Sequence, residues 1–462
     1  MRRDVFAVFV VMLVGEGRGM NALSSNGLHR TSLLSTASGA SRQVCRSSML
    51  VGTTGGAART IPEEDLKLPW WKAIQGAWSS GTFAEFMSFL RNEAGDCILL
   101  DAWPVLPPVY LLMGKAANQC ILSDADPSLD QVLQQLINAL PVAARVPVKT
   151  DEALQRKVSA LFQSERVVNL LIPSFKQRAE QICKRWASMG PKDHVSVFAE
   201  LSDYVLLADL EVLYGTEFAN GYAERLLPSF KEWVENIAHG GNPTTFFSEL
   251  GIALREYVEQ CLASPESFAS EESVLQLYMS ENAENALEID DVVGLLSMTL
   301  MAATFNTQVC LAWILVHLYS QPELLESART ELRCQSELDS YATLANLTFI
   351  NACIDESVRL HTMLPGNTVI RKANSAVIYR DDSRGDVHIP MGAVIWLYPN
   401  AVHLDEAFFP EPKAFCPMRM LHGNLERMSS EFELVTFGHG RQRCIGEKMV
   451  SAKHSTSQMR YS

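Results

Sequence analysis

Several common signatures are missing from these 462 residues. The ten cysteines are scattered and form no Cys-x-x-Cys pair, which argues against a zinc ribbon, a thioredoxin-like site or a dense disulfide framework. There is no run of lysine and arginine, and the net charge is −14, so we expect no nucleic-acid partner. No P-loop, Rossmann glycine fingerprint or recognisable Ser/His/Asp or Cys/His arrangement occurs. The chain therefore shows no nicotinamide or flavin site of its own.

Acidic residues are absent between Gly17 and Pro62, where serine, threonine, glycine and scattered arginines predominate. Before this stretch, the basic start of the chain leads into ten apolar residues, Val5 to Val14. These are too few to span a bilayer but suit the core of a signal peptide. We expect residues 1–60 to be a targeting or disordered leader, to the endoplasmic reticulum or a plastid, without a full transmembrane helix. Residues 61–462 are expected to form the folded domain.

Charge is also missing from residues 292–316, inside a proline-free run over 290–319. As one helix, this run would be about 45 Å long. A transmembrane helix is the alternative interpretation. Four polar residues, however, gather in its middle, where lipid-facing side chains are apolar: Thr304, Asn306, Thr307 and Gln308. The pattern favours a buried core helix with a polar notch.

The rest of the pattern predicts a helical protein with a small sheet. Apolar residues recur every three or four positions from Thr150 to about Pro265, which predicts helices, and Phe83 to Arg91 predicts a short amphipathic helix. Val109 to Met113 predicts an apolar strand. Four further β-rich runs are separated by Asp, Gly and Pro, at 367–371, 376–379, 387–389 and 393–396. We therefore expect a mainly α fold with a small β-rich lobe.

The chemistry is concentrated in the segment Phe437-Gly-His-Gly-Arg-Gln-Arg-Cys444-Ile-Gly446. Only the thiolate form of cysteine binds metals, and positive neighbours together with backbone N–H groups lower the thiol pKa. The glycines leave little side chain in the way, so that a flat macrocycle can approach the backbone. The alternative is a buried structural cysteine in a glycine-rich loop. We predict a thiolate ligand to iron.

The pattern FxxGxxxCxG resembles the cysteine loop of the haem-thiolate monooxygenases, the cytochrome P-450 family. The resemblance implies the cytochrome P-450 fold and haem b (iron protoporphyrin IX) with Cys444 as axial ligand, whose electron donation favours O–O cleavage. Phe437 and Gly440 would lie against the haem. The family usually has Arg or His two positions before the cysteine, at a haem propionate. Here Gln442 holds that position between two arginines, of which Arg443 is the predicted cofactor contact.

The long helix also resembles that family. Its distal helix carries the motif A-(A/G)-x-x-T-(T/S), whose threonine helps to deliver protons during oxygen activation. Ala302 and Ala303 match the start of the motif, Asn306 takes the threonine position, and Thr307 follows. An amide transfers protons less readily than a hydroxyl but can position water. Asn306 and Thr307 are therefore the predicted distal catalytic residues, with Thr304 as a further substitute.

Two more motifs precede the cysteine. Glu356 and Arg359 form an ExxR pair, which on its own is common on solvated helices. The segment Phe415-Cys-Pro-Met-Arg419 resembles the family's FxPxR element, whose arginine joins this pair in a buried triad. We assign Glu356, Arg359 and Arg419 a folding role that holds the cysteine loop, and no step in catalysis.

Further haem contacts follow from the resemblance. Arg371 matches a position at which the family often places an arginine against a propionate. Arg156 lies near the family's WxxxR helix, although Glu152 occupies the tryptophan position, and a solvated helix charge is an equal alternative. Three histidines are interpreted as loop or surface residues rather than distal ligands: His361, His403 and His439.

Together these features predict a monomeric haem-thiolate monooxygenase that inserts one oxygen atom from O2 into an apolar substrate such as a sterol, fatty acid or terpenoid. Electrons would come from a flavin-containing reductase or a ferredoxin, docked near Arg441, Arg443 and Lys448. One alternative is a haem-thiolate isomerase or dehydratase acting on a lipid peroxide, which Asn306 favours. Another is a non-catalytic haem-binding remnant.

The segment after Cys444 favours the second alternative. Only 18 residues follow this cysteine, and the last of them, from Ser451 to Ser462, are polar without apolar periodicity. The terminal sheet that the family normally has is therefore expected to be missing, and we expect weak haem binding or poor folding.

Overall fold

The computed structural model describes residues 60–69, 72, 75–76, 79–100, 109–123, 129–131, 160–162, 164–190, 196–236, 244–264, 272–281, 289–335, 339–361, 368–381, 384–440, 443–448, 450 and 452. The predicted leader lies outside this set except for residue 60. Arg156, Arg441 and Gln442 also lie outside the described residues.

Helices make up most of the described chain. In order they are α1 (Phe83–Ala94), α2 (Lys115–Leu122), α3 (Glu165–Ala187), α4 (Val197–Tyr214), α5 (Thr216–Asn236), α6 (Thr244–Ala263), α7 (Val274–Glu281), α8 (Ile289–Ser320), α9 (Pro322–Arg333), α10 (Tyr341–Ala345), α11 (Thr348–Leu360), α12 (Asn400–His403) and α13 (Asn424–Ser430). Two short 3-10 helices cover Glu63–Leu66 and Pro417–Met420.

Within the described residues, seven strands form two sheets. They are β1 (Cys97–Leu100), β2 (Val109–Met113), β3 (Leu129–Gln131), β4 (Val369–Ala373), β5 (Val377–Asp381), β6 (Gly385–Ile389) and β7 (Val394–Tyr398). The larger sheet has the order β1-β2-β7-β4-β3, and only its β2–β7 pair is parallel. Strands β5 and β6 form a separate antiparallel hairpin.

The mainly α fold with a β-rich lobe is confirmed, but the predicted single small sheet is wrong in detail. The β-rich runs of residues 367–396 divide between both sheets. Strand β7 is buried along most of its length because it lies in the middle of the larger sheet, whereas β5 alternates buried and exposed residues because only one of its faces packs.

The predicted long helix is confirmed as α8. It extends one residue beyond the predicted run at each end and is followed at once by Pro322, which starts α9. It packs against α4, α6, α9 and α11 at the centre of the largest apolar core. Its segment Val292–Ser320 has the length and the hydropathy of a membrane span, but most of that segment is buried inside the fold.

Local capping positions the elements around this core. Thr82 and Glu85 form a capping box at the start of α1, and Gly95 ends that helix with a φ of 82°. The carboxylate of Glu331, on α9, accepts hydrogen bonds from the first N–H groups of α11, at Phe349 (2.8 Å) and Ile350 (2.9 Å). Helix α9 thereby sets the point at which α11 begins.

Candidate functional site

The cysteine loop is a compact turn closed by its own backbone. The N–H of Cys444 donates to the carbonyl of Phe437 at 2.7 Å, and that of Arg443 donates to the carbonyl of Gly440 at 3.1 Å. Gly438 and Gly440 have φ values of 72° and 62°, in the region that favours glycine. Phe437 is half-buried and, like Ile445, packs against the core that contains α8. The loop therefore fixes the direction of the cysteine side chain.

The electrostatics of Cys444 combine opposing contributions. Cys444 keeps an accessible face, yet protein surrounds most of the thiol, and this burial raises its pKa above the ordinary value. Hydrogen bonds from the N–H groups of Gly446 and Glu447 lower the pKa, as does the nearby Arg443 guanidinium, while the Glu447 carboxylate raises it. The net pKa is raised, so the thiol is protonated at neutral pH until a cation binds the sulfur.

The ExxR pair and Arg419 form one buried network. Arg359 and Glu356 are fully buried and share two hydrogen bonds, Nε to Oε2 at 2.7 Å and Nη2 to Oε1 at 2.8 Å. Arg419 Nε reaches the same Oε1 at 3.0 Å, as does the backbone N–H of Cys416. The structure thus brings together the three residues predicted as a triad, on α11 and the 3-10 helix at residues 417–420.

The interpretation of His403 as a loop or surface residue is wrong. Its side chain is fully buried at the end of α12, where Nδ1 lies 3.0 Å from Asn400 Oδ1 and Nε2 accepts from the N–H of Val435 at 3.1 Å. Burial, together with the charge of Arg359, lowers the pKa of His403 to about 3, so the ring is neutral. The sequence offered no signal for this role, because one histidine carries no periodicity.

His361 and His439 also have local partners. The His361 ring stacks on Trp313 with centroids 3.9 Å apart, and its Nε2 lies 2.9 Å from that of His317. Burial lowers the pKa of His361 to about 3 and that of His317 to about 4. His439, inside the cysteine loop, packs against Phe432 with ring centroids 4.4 Å apart. None of these contacts places His361 or His439 as a distal ligand.

One face of α8 is accessible in the middle of the helix. Ala302 is exposed, and it shares this face with three half-buried residues at helical spacing: Leu295, Thr299 and Asn306. The side-chain amide of Asn306 donates to the carbonyl of Ala302 at 3.1 Å. The polar Asn306 and the small Ala302 therefore lie together on the accessible face.

The two threonines of the motif are placed differently from Asn306. Thr307 is buried, and its hydroxyl donates to the carbonyl of Ala303 at 2.6 Å. Thr304 is buried on the side facing α4, where its hydroxyl donates to Asp209 Oδ2 at 3.0 Å. Side-chain bonds to carbonyls four residues back, as made by Asn306 and Thr307, locally weaken and bend a helix.

A buried polar seam joins α4 to α8, and sequence reasoning missed its α4 half. Asp209, fully buried, receives the Thr304 bond, and one helical heptad away Ser202 bonds to the Gln308 side chain. Ser202 and Asp209 are seven residues apart on α4, whereas Thr304 and Gln308 are four apart on α8, and the order of the two pairs shows that the helices run antiparallel. The seam fixes which face of α8 is left accessible.

The predicted arginine contacts have different surroundings. Arg371 is buried on β4, and its Nη1 donates to the carbonyl of Ile370 at 3.1 Å. Arg443 is exposed and paired with Glu447, with Nη2 and Oε1 2.6 Å apart. Lys448 lies over the ring of Tyr341, 5.6 Å from its centroid. The Glu447 pairing offsets part of the positive charge of the predicted donor-docking patch.

These residues fit a haem group by the chemistry of their donors. The site offers an accessible thiol, with Gly446 beside it, where an added Cβ would already touch the Sγ at 3.8 Å. Alanines face the accessible side of α8, and the buried cation Arg371 suits a carboxylate partner. Cys444, Phe437 and Arg371 would hold the haem, with Asn306 on the distal helix.

Comparison with known proteins agrees with this arrangement. The family model "Cytochrome P450" matches residues 249–454, which include α8, the triad and the cysteine loop. The solved structure of retinoic acid bound cyanobacterial CYP120A1 superposes with a TM-score of 0.68 over 85% of this chain and 89% of that one, at 16% identity. That likeness shows a shared mainly helical fold with small sheets.

Curated relatives are similar at low identity. Rat (Rattus norvegicus) lanosterol 14-alpha demethylase is 24% identical over 388 residues, 78% of this chain and 75% of that protein. Soybean (Glycine max) 2-hydroxyisoflavanone synthase is 30% identical over 40% of this chain and 36% of its own length. Cytochrome P450 71A8 of Mentha piperita is 25% identical over 43% and 39%.

The chain spans about two fifths of the length of the plant relatives that it matches. Over residues 249–454 the chain is similar to the cytochrome P450 family, whose members hold haem through a cysteine thiolate, and its fold matches that of a solved member.

Proposed function

We propose that this chain is a haem-thiolate monooxygenase that inserts one oxygen atom from O2 into an apolar substrate. The observation that carries the proposal is the geometry of Cys444. Its side chain is accessible, and its backbone N–H is fixed by a hydrogen bond to the Phe437 carbonyl. Haem, when bound, supplies the activation of dioxygen and the transfer of one oxygen atom.

The chain's own residues would do the rest. Cys444 would anchor the haem and donate electron density to it, and Arg371 would pair with a haem carboxylate. Asn306 orients water on the accessible face of α8, beside the small Ala302, which leaves room for substrate. Thr307 would act indirectly, since its hydroxyl bonds to the Ala303 carbonyl within the helix beside Asn306. Glu356, Arg359 and Arg419 hold the loop and take no part in proton movement.

The substrate class proposed is a sterol, fatty acid or terpenoid. Apolar and small side chains on the accessible face of α8 support it, as does the similarity to a lanosterol demethylase. Electrons would come from a flavin-containing reductase or a ferredoxin. The ion pair between Arg443 and Glu447 means that the docking surface next to the cysteine is of mixed charge rather than purely basic.

The test is an absorption spectrum of the haem-loaded protein, reduced and exposed to carbon monoxide. We expect the red-shifted Soret band of thiolate ligation, and its loss in Cys444→Ser. Cys334→Ser is the matched control, because Cys334 is also accessible but lies at the end of α9, and it should keep the band. A folded, haem-loaded protein without the band would exclude thiolate ligation.

A second candidate is an isomerase or dehydratase acting on a lipid peroxide, which needs neither a reductase nor proton delivery. Its specific support is the burial of the Thr304 and Thr307 hydroxyls, which leaves the amide of Asn306 as the polar group of this motif on the accessible face. Turnover of a fatty-acid hydroperoxide without reductant or dioxygen uptake selects it. Reductase-dependent dioxygen uptake selects the monooxygenase, and neither activity in a haem-loaded protein indicates a non-catalytic haem binder.

We also propose that residues 61–462 form one haem-thiolate domain and that residues 1–60 direct it to the endoplasmic reticulum or a plastid. The support is the acid-free composition of residues 17–62 after an apolar segment. A fluorescent protein carrying residues 1–60 should collect in one of these compartments, and diffuse fluorescence would refute the proposal.

A further inference from the structure

His403 joins the buried triad to the cysteine loop. Its carbonyl accepts a hydrogen bond from Arg359 Nη1 at 2.5 Å, and its Nε2 accepts one from the backbone N–H of Val435 at 3.1 Å. The carbonyl of Val435 in turn accepts from the N–H of Gly438 at 2.9 Å. His403 therefore contacts both the triad and Val435, which lies two residues before the cysteine loop and bonds to Gly438 within it.

The partners of the ring fix its tautomer. A backbone N–H can only donate, so Nε2 facing Val435 is unprotonated and Nδ1 carries the proton. That proton is donated to Asn400 Oδ1, at 3.0 Å. The ring also meets Phe409 edge-on, and the Arg359 guanidinium lies over the same phenyl ring, 4.9 Å from its centroid. The imidazole cannot rotate without losing two hydrogen bonds.

Because both residues are buried, the hydrogen bond from the Val435 N–H to His403 Nε2 matters for the position of the backbone. His403 is fully buried and Val435 is 3% exposed, so water does not readily replace the imidazole as an acceptor. Val435 lies outside the strands and helices, which means that no regular ladder supplies a carbonyl for its N–H. The position of the Val435 backbone therefore depends on Nε2.

We propose that His403 is a positioning residue for Cys444, which transmits the rigidity of the triad to the cysteine loop through its neutral Nε2. The haem readout of this inference rests on the ligation by Cys444 proposed above. The triad itself contacts the segment at residue 416, whereas the His403 ring contacts residue 435 directly. The His403 ring thus makes a contact with the segment before the cysteine loop that the charged side chains of the triad do not make.

Three substitutions distinguish the role of His403 Nδ1 from that of His403 Nε2. In His403→Gln, the side-chain oxygen can occupy the place of Nε2 and accept from Val435, but the Nδ1 contact with Asn400 is lost. In His403→Asn, the amide nitrogen can replace Nδ1 toward Asn400, but nothing reaches Val435. His403→Phe keeps a ring and removes both contacts. The carbonyl bond to Arg359 is retained in all three.

Two readouts are needed, one of which does not depend on haem. Hydrogen exchange followed by mass spectrometry on the peptide containing Val435 should be about tenfold faster or more in His403→Asn and His403→Phe, and close to wild type in His403→Gln. In the reduced, carbon monoxide-bound protein, the red-shifted thiolate band should give way to an unshifted band in the first two variants and persist in His403→Gln.

Equal behaviour of His403→Asn and His403→Gln in both readouts would overturn the proposal, because a merely space-filling role does not distinguish the two nitrogens. If His403→Asn does not accumulate as folded protein, His403→Gln and Asn400→Ala are compared instead. Both retain the acceptor for Val435 and should keep the band, so a loss in His403→Gln alone overturns the inference. A wild-type protein without the band refutes the ligation by Cys444, while the exchange readout still tests His403.

Discussion

Neutralising Glu356 should be among the most damaging single changes outside the cysteine loop. Its Oε1 accepts from Arg359 Nη2 (2.8 Å), Cys416 N–H (3.0 Å) and Arg419 Nε (3.0 Å), and its Oε2 accepts from Arg359 Nε (2.7 Å). In Glu356→Gln, the amide oxygen can keep one of these two positions. If the amide oxygen keeps the position of Oε1, which accepts three hydrogen bonds, the new NH2 group takes the position of Oε2. It then points at Arg359 Nε–H, so two hydrogen-bond donors face each other.

The expected loss of unfolding free energy in Glu356→Gln follows from the burial of the ion pair. Glu356 and Arg359 are both fully buried, so the substitution leaves an uncompensated guanidinium away from water, which typically costs about 3–5 kcal/mol. The pair Glu326–Arg333 is the matched control, with its atoms 2.8 Å apart and both side chains more than half exposed. Glu326→Gln should cost at most about 1 kcal/mol.

The assay is pulse proteolysis of the full chain across a urea series, which yields the free energy of unfolding even when the unfolded protein aggregates slowly. We expect the two Glu→Gln variants to differ by at least about 2 kcal/mol. A difference smaller than about 1 kcal/mol would show that the network tolerates a neutral acceptor. If Glu356→Gln does not fold at all, Arg419→Gln, which removes a partly exposed partner of the same oxygen, should show a smaller loss.

Two further predictions concern protons. The His403 pKa is about 3 in the folded chain and has the ordinary value of 6.5 when unfolded, so its stabilising contribution is full above pH 6.5 and falls as the pH drops toward 3. Between pH 7 and pH 5, wild type should lose about 2 kcal/mol of unfolding free energy relative to His403→Gln. If the difference in unfolding free energy between the two proteins is the same at both pH values, the prediction is wrong. Because burial raises the Cys444 pKa, haem binding must release the thiol proton. Apparent haem affinity should therefore rise with pH, by up to about tenfold per unit, in wild type but not in Cys444→Ser.

The fold could be predicted where the pattern is long or periodic. The run of residues 290–319 has no proline and no charge in its middle, so its length and its position in the core followed directly. The strands at residues 369–398 were found from their β-rich composition, but their division between two sheets was not. Pairing of β2 with β7 depends on contacts between distant parts of the chain, which no local pattern records.

Some parts of the candidate site could likewise be predicted from the sequence, and others could not. The triad and the cysteine loop lie in contiguous motifs, and the structure places their residues in contact. Asp209 and His403 were missed because each is a single polar residue made important by burial, and burial is a property of the folded chain. The side of α8 on which Thr304 lies was also unpredictable, because it depends on where α4 packs.

The larger sheet has a consequence for synthesis of the chain. Its strand β2 pairs in parallel with β7, which follows it by roughly 280 residues. At a usual rate of translation, β2 waits roughly 15–60 s for its partner to be made. During that time, the apolar edge of the β1–β2 hairpin is open to other strands. Expression at a lower temperature or with a chaperone that covers exposed strands should therefore raise the yield of folded protein more than any change at the cysteine loop.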